Sequence, residues 1–371
     1  MNGDLLWGRP IRYAGYHIDP KELDRLRQRG DRFADSALES SGSIDNVIDM
    51  VSCEHNTDTC GLGESMRTVP EWVDYSKVKR GQLVFLKHTT SASLGLLYYS
   101  LVGGFSAPKI VKVLDGTSYL TREVNATFRR LMETFEMVLN CLEDDSLQIG
   151  NVGWLHILRV RLLHSSVRSM LLNRGWDSAT DGFPINQEDL IATLLSFSIN
   201  VLDSIKKVEG FCSITREDED DYLHLWRLIG YYIGIEEEHN PCKSVDIASG
   251  AIESIVIHLL HPDLRSGEVA RHCLLSMHLR PPMRFSYKIH LQAARFFLGS
   301  QLADKLGIEF SFAHYLYFTC VIYLICFFSF LISLSLSTSI SSSDGYVRKV
   351  RALLRQHVDR LLLRETKTKA S

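Results

Sequence analysis

The stretch Arg159-Val-Arg-Leu-Leu-His164-Ser-Ser-Val-Arg168 decides how this chain reads. Ile157, Val160, His164, Val167 and Leu171 follow one another at steps of three, four, three and four, so they share one face of a helix. An imidazole within an apolar stripe needs partners for its ring nitrogens, because burying them unpaired costs free energy. Arg161 and Arg168 stand one helical turn to either side of it. Two readings follow. His164 is a core histidine bonded to a nearby carbonyl, or it ligates a haem iron whose two propionates meet the flanking guanidinium forks. Lone histidines on helices are common, so spacing alone favours the structural reading.

The same helical period runs outward from this stretch. Nine prolines in 371 residues and long segments of 3.6-residue periodicity indicate an all-α chain, without short alternating strands and hairpin turns. Helices are expected over 20–38, with Pro20 opening and Leu23, Leu26 and Phe33 as apolar positions, and over 83–99, 120–141 and 153–173. Further ones are expected over 188–208, 216–235, 246–261 and 285–307, the 216–235 segment led by five consecutive acids that favour helix initiation. Residues 39–70, rich in Ser, Gly, Asp, Thr and Asn, read as a surface excursion. No internal repeat and no long heptad run occurs.

Composition narrows the function. With 45% hydrophobic residues, 23% charged and a formal net charge of -3, the chain has enough apolar material for a sizeable core and no basic face for nucleic acid before residue 345. The eight cysteines are scattered without paired spacing, which fits a reducing compartment. The N-terminus has no basic region followed by an apolar stretch, so no signal peptide is expected.

From Phe310 to Ser343 there is no charged residue, and the apolar part, Tyr315 to Leu336, is longer than the roughly 20 residues that cross hydrocarbon. Residues 311–340 are therefore a candidate transmembrane helix, the alternatives being a core helix or one half-embedded in a leaflet. Residues 341–371 form a basic tail. The positive-inside rule would keep that tail cytosolic and put the main domain across the membrane, which conflicts with the missing signal peptide and leaves topology open.

Several constellations were weighed for chemistry. Arg130 and Thr134 lie four apart on the 120–141 helix among Phe128, Leu131, Phe135 and Val138. They could anchor a carboxylate or line an oxygen pocket; the alternative is an exposed arginine and a threonine bonded back to the preceding turn. Cys53-Glu-His55-Asn-Thr-Asp-Thr-Cys60 lacks zinc-site spacing and reads as solvated loop. His258 and His261, just before Pro262, read as solvated histidines at a helix end, and Glu253 stands too far from His258 for a di-iron motif. Phosphate loops, nucleophile elbows and His-Glu-x-x-His are absent.

Taken together, residues 20–310 resemble the haem-dependent oxygenases that include the latex-clearing rubber oxygenases and the ER-bound oxygenase that shortens the farnesyl chain in mycophenolic acid biosynthesis. The resemblance rests on Arg159 to Arg168, on Arg130-x-x-x-Thr134 placed 34 and 30 residues before His164, and on Gly30-Asp31-Arg-Phe-Ala34-Asp35. Gly81-Gln-Leu-Val-Phe85, Asn186-Gln-Glu-Asp189 and Tyr222-Leu-His-Leu-Trp226-Arg227-Leu-Ile-Gly230 followed by Gly234-Ile235 add to it.

The resemblance implies one mainly helical domain over 20–310, after a 1–19 arm, holding haem b. It implies His164 as proximal iron ligand, and Arg130 and Thr134 near the haem or its oxygen. Arg161 and Arg168 would meet the propionates, Lys87 is the nearest candidate for a distal lysine, and Asp115 stands roughly where a distal acid is expected. Asn186 to Asp189 most simply cap a helix, and Tyr222 and Trp226 read as core. The implied reaction is O2-dependent cleavage of a carbon–carbon double bond in a hydrophobic, isoprenoid-like or lipid substrate, by a membrane-associated protein, the endoplasmic reticulum being suggested. The rivals are a non-catalytic haem- or lipid-binding membrane protein of the same fold, and a haem-free helical interaction protein.

Overall fold

The computed structural model describes residues 5–7, 9–53, 61–117, 123–210, 213–337 and 340–368; within these, side chains are described at Trp7, over 11–327, at 345 and over 347–362. Apart from a two-residue antiparallel pairing of Leu5–Leu6 with Arg9–Pro10, the described chain is helical. In chain order the helices are α1 (Pro20–Leu26), α2 (Arg32–Ser41), α3 (Ile44–Ser52), α4 (Leu62–Arg67), α5 (Tyr75–Lys87), α6 (Thr89–Leu94), α7 (Val102–Gly104) and α8 (Pro108–Thr117). Then come α9 (Val124–Cys141), α10 (Val152–Asn173), α11 (Ser178–Asp181), α12 (Gln187–Phe197), α13 (Ile199–Glu209) and α14 (Arg216–Tyr232). The chain closes with α15 (Val245–Leu259), α16 (Leu264–Ser276), α17 (Tyr287–Leu298), α18 (Ser300–Lys305), α19 (Phe312–Ser337) and α20 (Ile340–Thr368).

Local chemistry explains where expected helices break. The 20–38 segment divides because Asp31 leaves helical geometry to cap α2, accepting the Ala34 amide. The 188–208 segment divides at Ser198, whose backbone is non-helical while its hydroxyl donates to the Leu194 carbonyl. The 83–99 stretch breaks after His88 and then winds into a π-helical turn over Gly95–Leu101, a geometry that needs special packing to persist. Here Gly95 supplies it: a Cβ there would lie 2.4 Å from the Ser204 side chain.

The 39–70 expectation is corrected wherever it is described. Val47, Val51, Leu62 and Met66 are fully buried in the main core, so α3 and α4 are structural walls. The Ser and Asp residues that suggested a loop lie within or beside these short helices, Asp45 in the first turn of α3, while a three-to-four-residue apolar spacing seats them. The Cys53–Cys60 segment lies outside the described residues except for Cys53, which is exposed.

Two apolar clusters hold the fold. The larger gathers α1 to α5, α10, α12 to α15 and the inner face of α20 around Trp154, whose indole donates to the Met66 carbonyl at 2.9 Å. Removing a side chain so buried costs about 3–5 kcal/mol. Closest approach within this cluster is α5 against α14, where a Cβ on Gly81 would stand 2.4 Å from the Asp221 carbonyl oxygen. The smaller cluster is aromatic: Tyr98, Phe105, Phe285, Phe296, Phe297 and Phe318.

The 311–340 expectation also changes. Among the described residues no single helix is long and apolar enough to cross a membrane. The first half of α19 is instead tied to the aromatic cluster, with Phe318 and Ile322 completely buried. The basic tail is not detached either. Arg351 on α20 forms a two-bond pair with Asp144 (2.8 and 3.1 Å), and Val347, Val358 and Leu361 are buried, so α20 lies along α9.

Candidate functional site

α9 and α10 form an antiparallel hairpin through the link 142–151. Near the link, the Asn140 side chain meets the His156 ring at 3.1 Å, and Gly153 lies so close to the Asn140 carbonyl that a Cβ would sit 3.0 Å from it. At about 1.5 Å rise per residue, that register carries Met132–Thr134 to the height of Leu162–His164. That height is midway along the hairpin, about 12 Å from the link-end contacts.

α10 divides by burial. Trp154, Ile157, Leu158, Arg161, Leu162, Ser165 and Arg168 are buried against the body, whereas Val160, His164 and Val167 are half-buried and Leu163 is exposed. Thus the stripe read from sequence is the edge of the core face, and it opens onto the side that carries His164.

His164 has an unusual environment. It makes no hydrogen bond, and its Nδ1 is sealed from solvent. Because the side chain keeps some surface, Nε2 is the nitrogen left with access to open space. Dense protein around the ring, aided by the Arg168 charge and only partly opposed by Asp31, pulls its pKa down to about 4. The imidazole is neutral at physiological pH, with a lone pair available.

The two flanking arginines are placed differently from the expectation. Arg161 donates Nε and Nη2 to Asp31 at 2.6 and 3.1 Å, and Nη1 to the Tyr232 carbonyl at 3.3 Å. Arg168 pairs with Asp35 and donates to the carbonyls of Pro184 (3.2 Å) and Ile185 (2.8 Å). Their forks fasten α2 and the entry to α12 onto α10, so the structure does not free them for propionates. The physical reason is angular: at three before and four after His164 they fall on the buried side, where they meet Asp31 and Asp35. Those acids stand four apart on α2, and that matched spacing within Gly30–Asp35 was the available signal.

The other expected residues also have partners. Arg130 donates to Glu133 at 2.5 Å, a carboxylate that also takes Arg129 at 2.8 Å, and the Thr134 hydroxyl donates to the Arg130 carbonyl at 3.0 Å. Asp115 is gripped by Arg265 through two bonds of 2.8 and 2.6 Å. Lys87 is exposed at the end of α5 near Asp218, on the α5–α14 side, so it is not brought to the hairpin. Glu133, unremarked in the sequence, is the acid the structure puts against Arg130, whereas the acid whose charge acts on His164 is Asp31.

Two groups read as structural behave so. Tyr222 donates to the Phe197 carbonyl at 3.0 Å and Trp226 stacks on Phe197 at 5.3 Å. Asn186 caps α12, accepting the Asp189 amide at 2.9 Å. Yet the two acids after it do more than cap. Glu188 and Asp189 share Arg27 at 2.7 and 3.2 Å, and burial raises Asp189 to about 6. His258 is not solvated: its ring meets Glu188 at 2.6 Å and Asp24 at 3.2 Å.

Comparison with known proteins fits this arrangement. Residues 88–323 match the model of the ER-bound oxygenase mpaB/B'/rubber oxygenase catalytic domain. A rubber oxygenase from Streptomyces sp. (strain K30) is 21% identical over 248 residues, which are 66% of this chain and span 59% of that protein's length. The solved structure of the latex clearing protein LCP in the closed state superposes with a TM-score of 0.66 at 17% identity, covering 95% of this chain and 93% of that one. At that identity the superposition establishes the fold. The family match covers well over half of the chain, including the α9–α10 hairpin, and the chain accordingly belongs to the mpaB/B' and rubber oxygenase catalytic-domain family.

Proposed function

We propose that this oxygenase-family protein binds haem b through His164 and cleaves a carbon–carbon double bond of a lipophilic, isoprenoid-like substrate with O2. The observation that carries the reading is His164 itself: a neutral imidazole with no hydrogen bond and one nitrogen left accessible, on a half-open apolar helix face. Iron requires just such an unprotonated donor. The donor set therefore fits haem. Bound haem would supply the iron at which O2 is activated.

The chain's own residues do the rest. Burial keeps His164 unprotonated across the physiological range. Val160, Leu163 and Val167 present apolar surface beside it, which excludes water and favours a hydrocarbon over a polar substrate. Arg130 and Thr134 sit at the same height on the facing helix, and Glu133 fixes the Arg130 guanidinium so that its orientation is set before any ligand arrives. We also read the protein as membrane-associated, in keeping with its apolar α19.

The test begins with the spectrum of full-length protein reconstituted with haem. A Soret band that His164→Ala abolishes or shifts supports the assignment; an unchanged band removes it. Incubation of the reduced holoprotein with O2 and a polyisoprenoid then separates cleavage, seen as aldehyde and ketone products, from haem binding without turnover. The second outcome would favour the non-catalytic reading, which the engagement of Asp115 by Arg265 keeps in play.

A further inference from the structure

The described half of α19 is two-faced. Phe318 and Ile322 point into the aromatic cluster, whereas Phe312, Leu316, Tyr317, Tyr323, Leu324 and Phe327 are exposed. At about 100° per residue the exposed set occupies one continuous arc some 140° wide. Ala313 and Cys320, also exposed, fall within the same arc, and it carries no charge. A soluble surface rarely presents so large an apolar stripe without using it.

Charge argues for what meets this stripe. The helix that follows, α20, exposes Arg348, Lys349 and Arg360 opposite its buried Val347 and Val358, and the sequence adds Arg364, Lys367 and Lys369. An uncharged apolar face bearing tyrosines, followed in the chain by a helix that exposes lysine and arginine, matches an anionic lipid surface.

We propose that the protein attaches to membranes on one side only, the outer arc of α19 entering a single leaflet and the basic face of α20 meeting anionic headgroups. The inference rests on the membrane-associated part of the reading above and on nothing about haem. Over Phe312–Phe327 the other face of the helix is committed to the protein core, which is why this part lies on the leaflet.

Purified full-length protein would be sedimented with vesicles of phosphatidylcholine alone and of phosphatidylcholine mixed with phosphatidylserine. Binding is expected to be stronger on the anionic vesicles and to be released by alkaline carbonate. Leu316 and Leu324 are 49% and 55% exposed, so the pair Leu316→Asp and Leu324→Asp should leave circular dichroism and unfolding unchanged. It should weaken partitioning about tenfold or more. Arg348→Glu with Lys349→Glu should erase the preference for phosphatidylserine.

No sedimentation, carbonate-resistant insertion, or wild-type affinity in the aspartate pair would each overturn the proposal. So would a dimer in light scattering that the aspartate pair dissociates, since a second copy would then be the occupant. A normal Soret band beside failed vesicle binding would refute this inference alone, and the reverse result would refute only the haem reading.

Discussion

Replacing Asp31 by Asn tests most sharply what the arginines around His164 do. Asn is as good a helix cap as Asp, so the bond to the Ala34 amide survives, while the charge and the oxygen that accepts Arg161 Nε are lost. Arg161 is 3% exposed and Asp31 6%, so the change leaves an uncompensated guanidinium in the interior. Breaking one side of such a pair costs about 3–5 kcal/mol. Relaxation is blocked on the near side, because Gly234 packs there so tightly that a Cβ would lie 2.4 Å from the Asp31 carboxylate. Urea unfolding of the haem-free protein, followed by circular dichroism, should show that loss. Adding Arg161→Met should restore much of it, since a well-packed apolar pair can replace a buried ion pair. A loss below about 1 kcal/mol for Asp31→Asn would refute the reasoning. So would an Arg161→Met protein of normal stability whose haem affinity collapses, the behaviour of a propionate clamp.

Other outcomes follow from the same structure. Asp35→Ala should cost less than Asp31→Ala in the same urea assay, because Asp35 is 38% exposed and Arg168 keeps two carbonyl acceptors. Gly81→Ala should destabilise by roughly 1–3 kcal/mol or more, since the new methyl meets Asp221 backbone that cannot swing aside, and thermal unfolding would register it. Tyr98→Phe removes the hydroxyl that meets His290 Nδ1 at 2.7 Å in a dry aromatic cluster, and should cost about 1–3 kcal/mol by the same measurement.

pH should matter in a defined direction. Burial holds His290 down at about 4, so its share of stability is present above pH 6.5 and is lost as pH falls toward 4. The shift corresponds to about 3 kcal/mol at most. Asp189, raised by burial to about 6, acts oppositely, its share being present below 3.8 and lost as pH rises through 6. Unfolding measured from pH 7 to pH 4 should fall less steeply in His290→Gln than in the parent; equal slopes would show that His290 is not kept neutral.

Much of the fold was legible because it is written in local periodicity. α9, α10, α14 and α15 lie within a few residues of their expected spans, Pro20 opens α1 and Asn186 caps α12 as their chemistry suggests. Composition misled over 39–70, where serines and aspartates occupy the outer positions of short helices whose apolar residues are buried. Uniform apolarity misled over 311–340, because it does not reveal that one face of α19 is already spent on Phe285, Phe296 and Phe297.

The site was legible in part for the same reason. His164, Arg130 and Thr134 were read onto two successive helices, and those helices form as expected. The partners of Arg161 and Arg168 come from α2, about 130 residues away, and Arg265 reaches Asp115 across 150. No single-helix rule reports which distant acid an arginine will find.

The Arg161–Asp31 and Arg168–Asp35 pairs also bear on where this molecule can be divided. The stretch shared with its family starts at residue 88, so both acids lie upstream of it, and α20, with its grip on α9, lies downstream. A fragment trimmed to the shared stretch would expose α10 with two stranded buried cations and strip one flank of α9. The portion that heredity has kept recognisable is therefore smaller than the portion that must fold together.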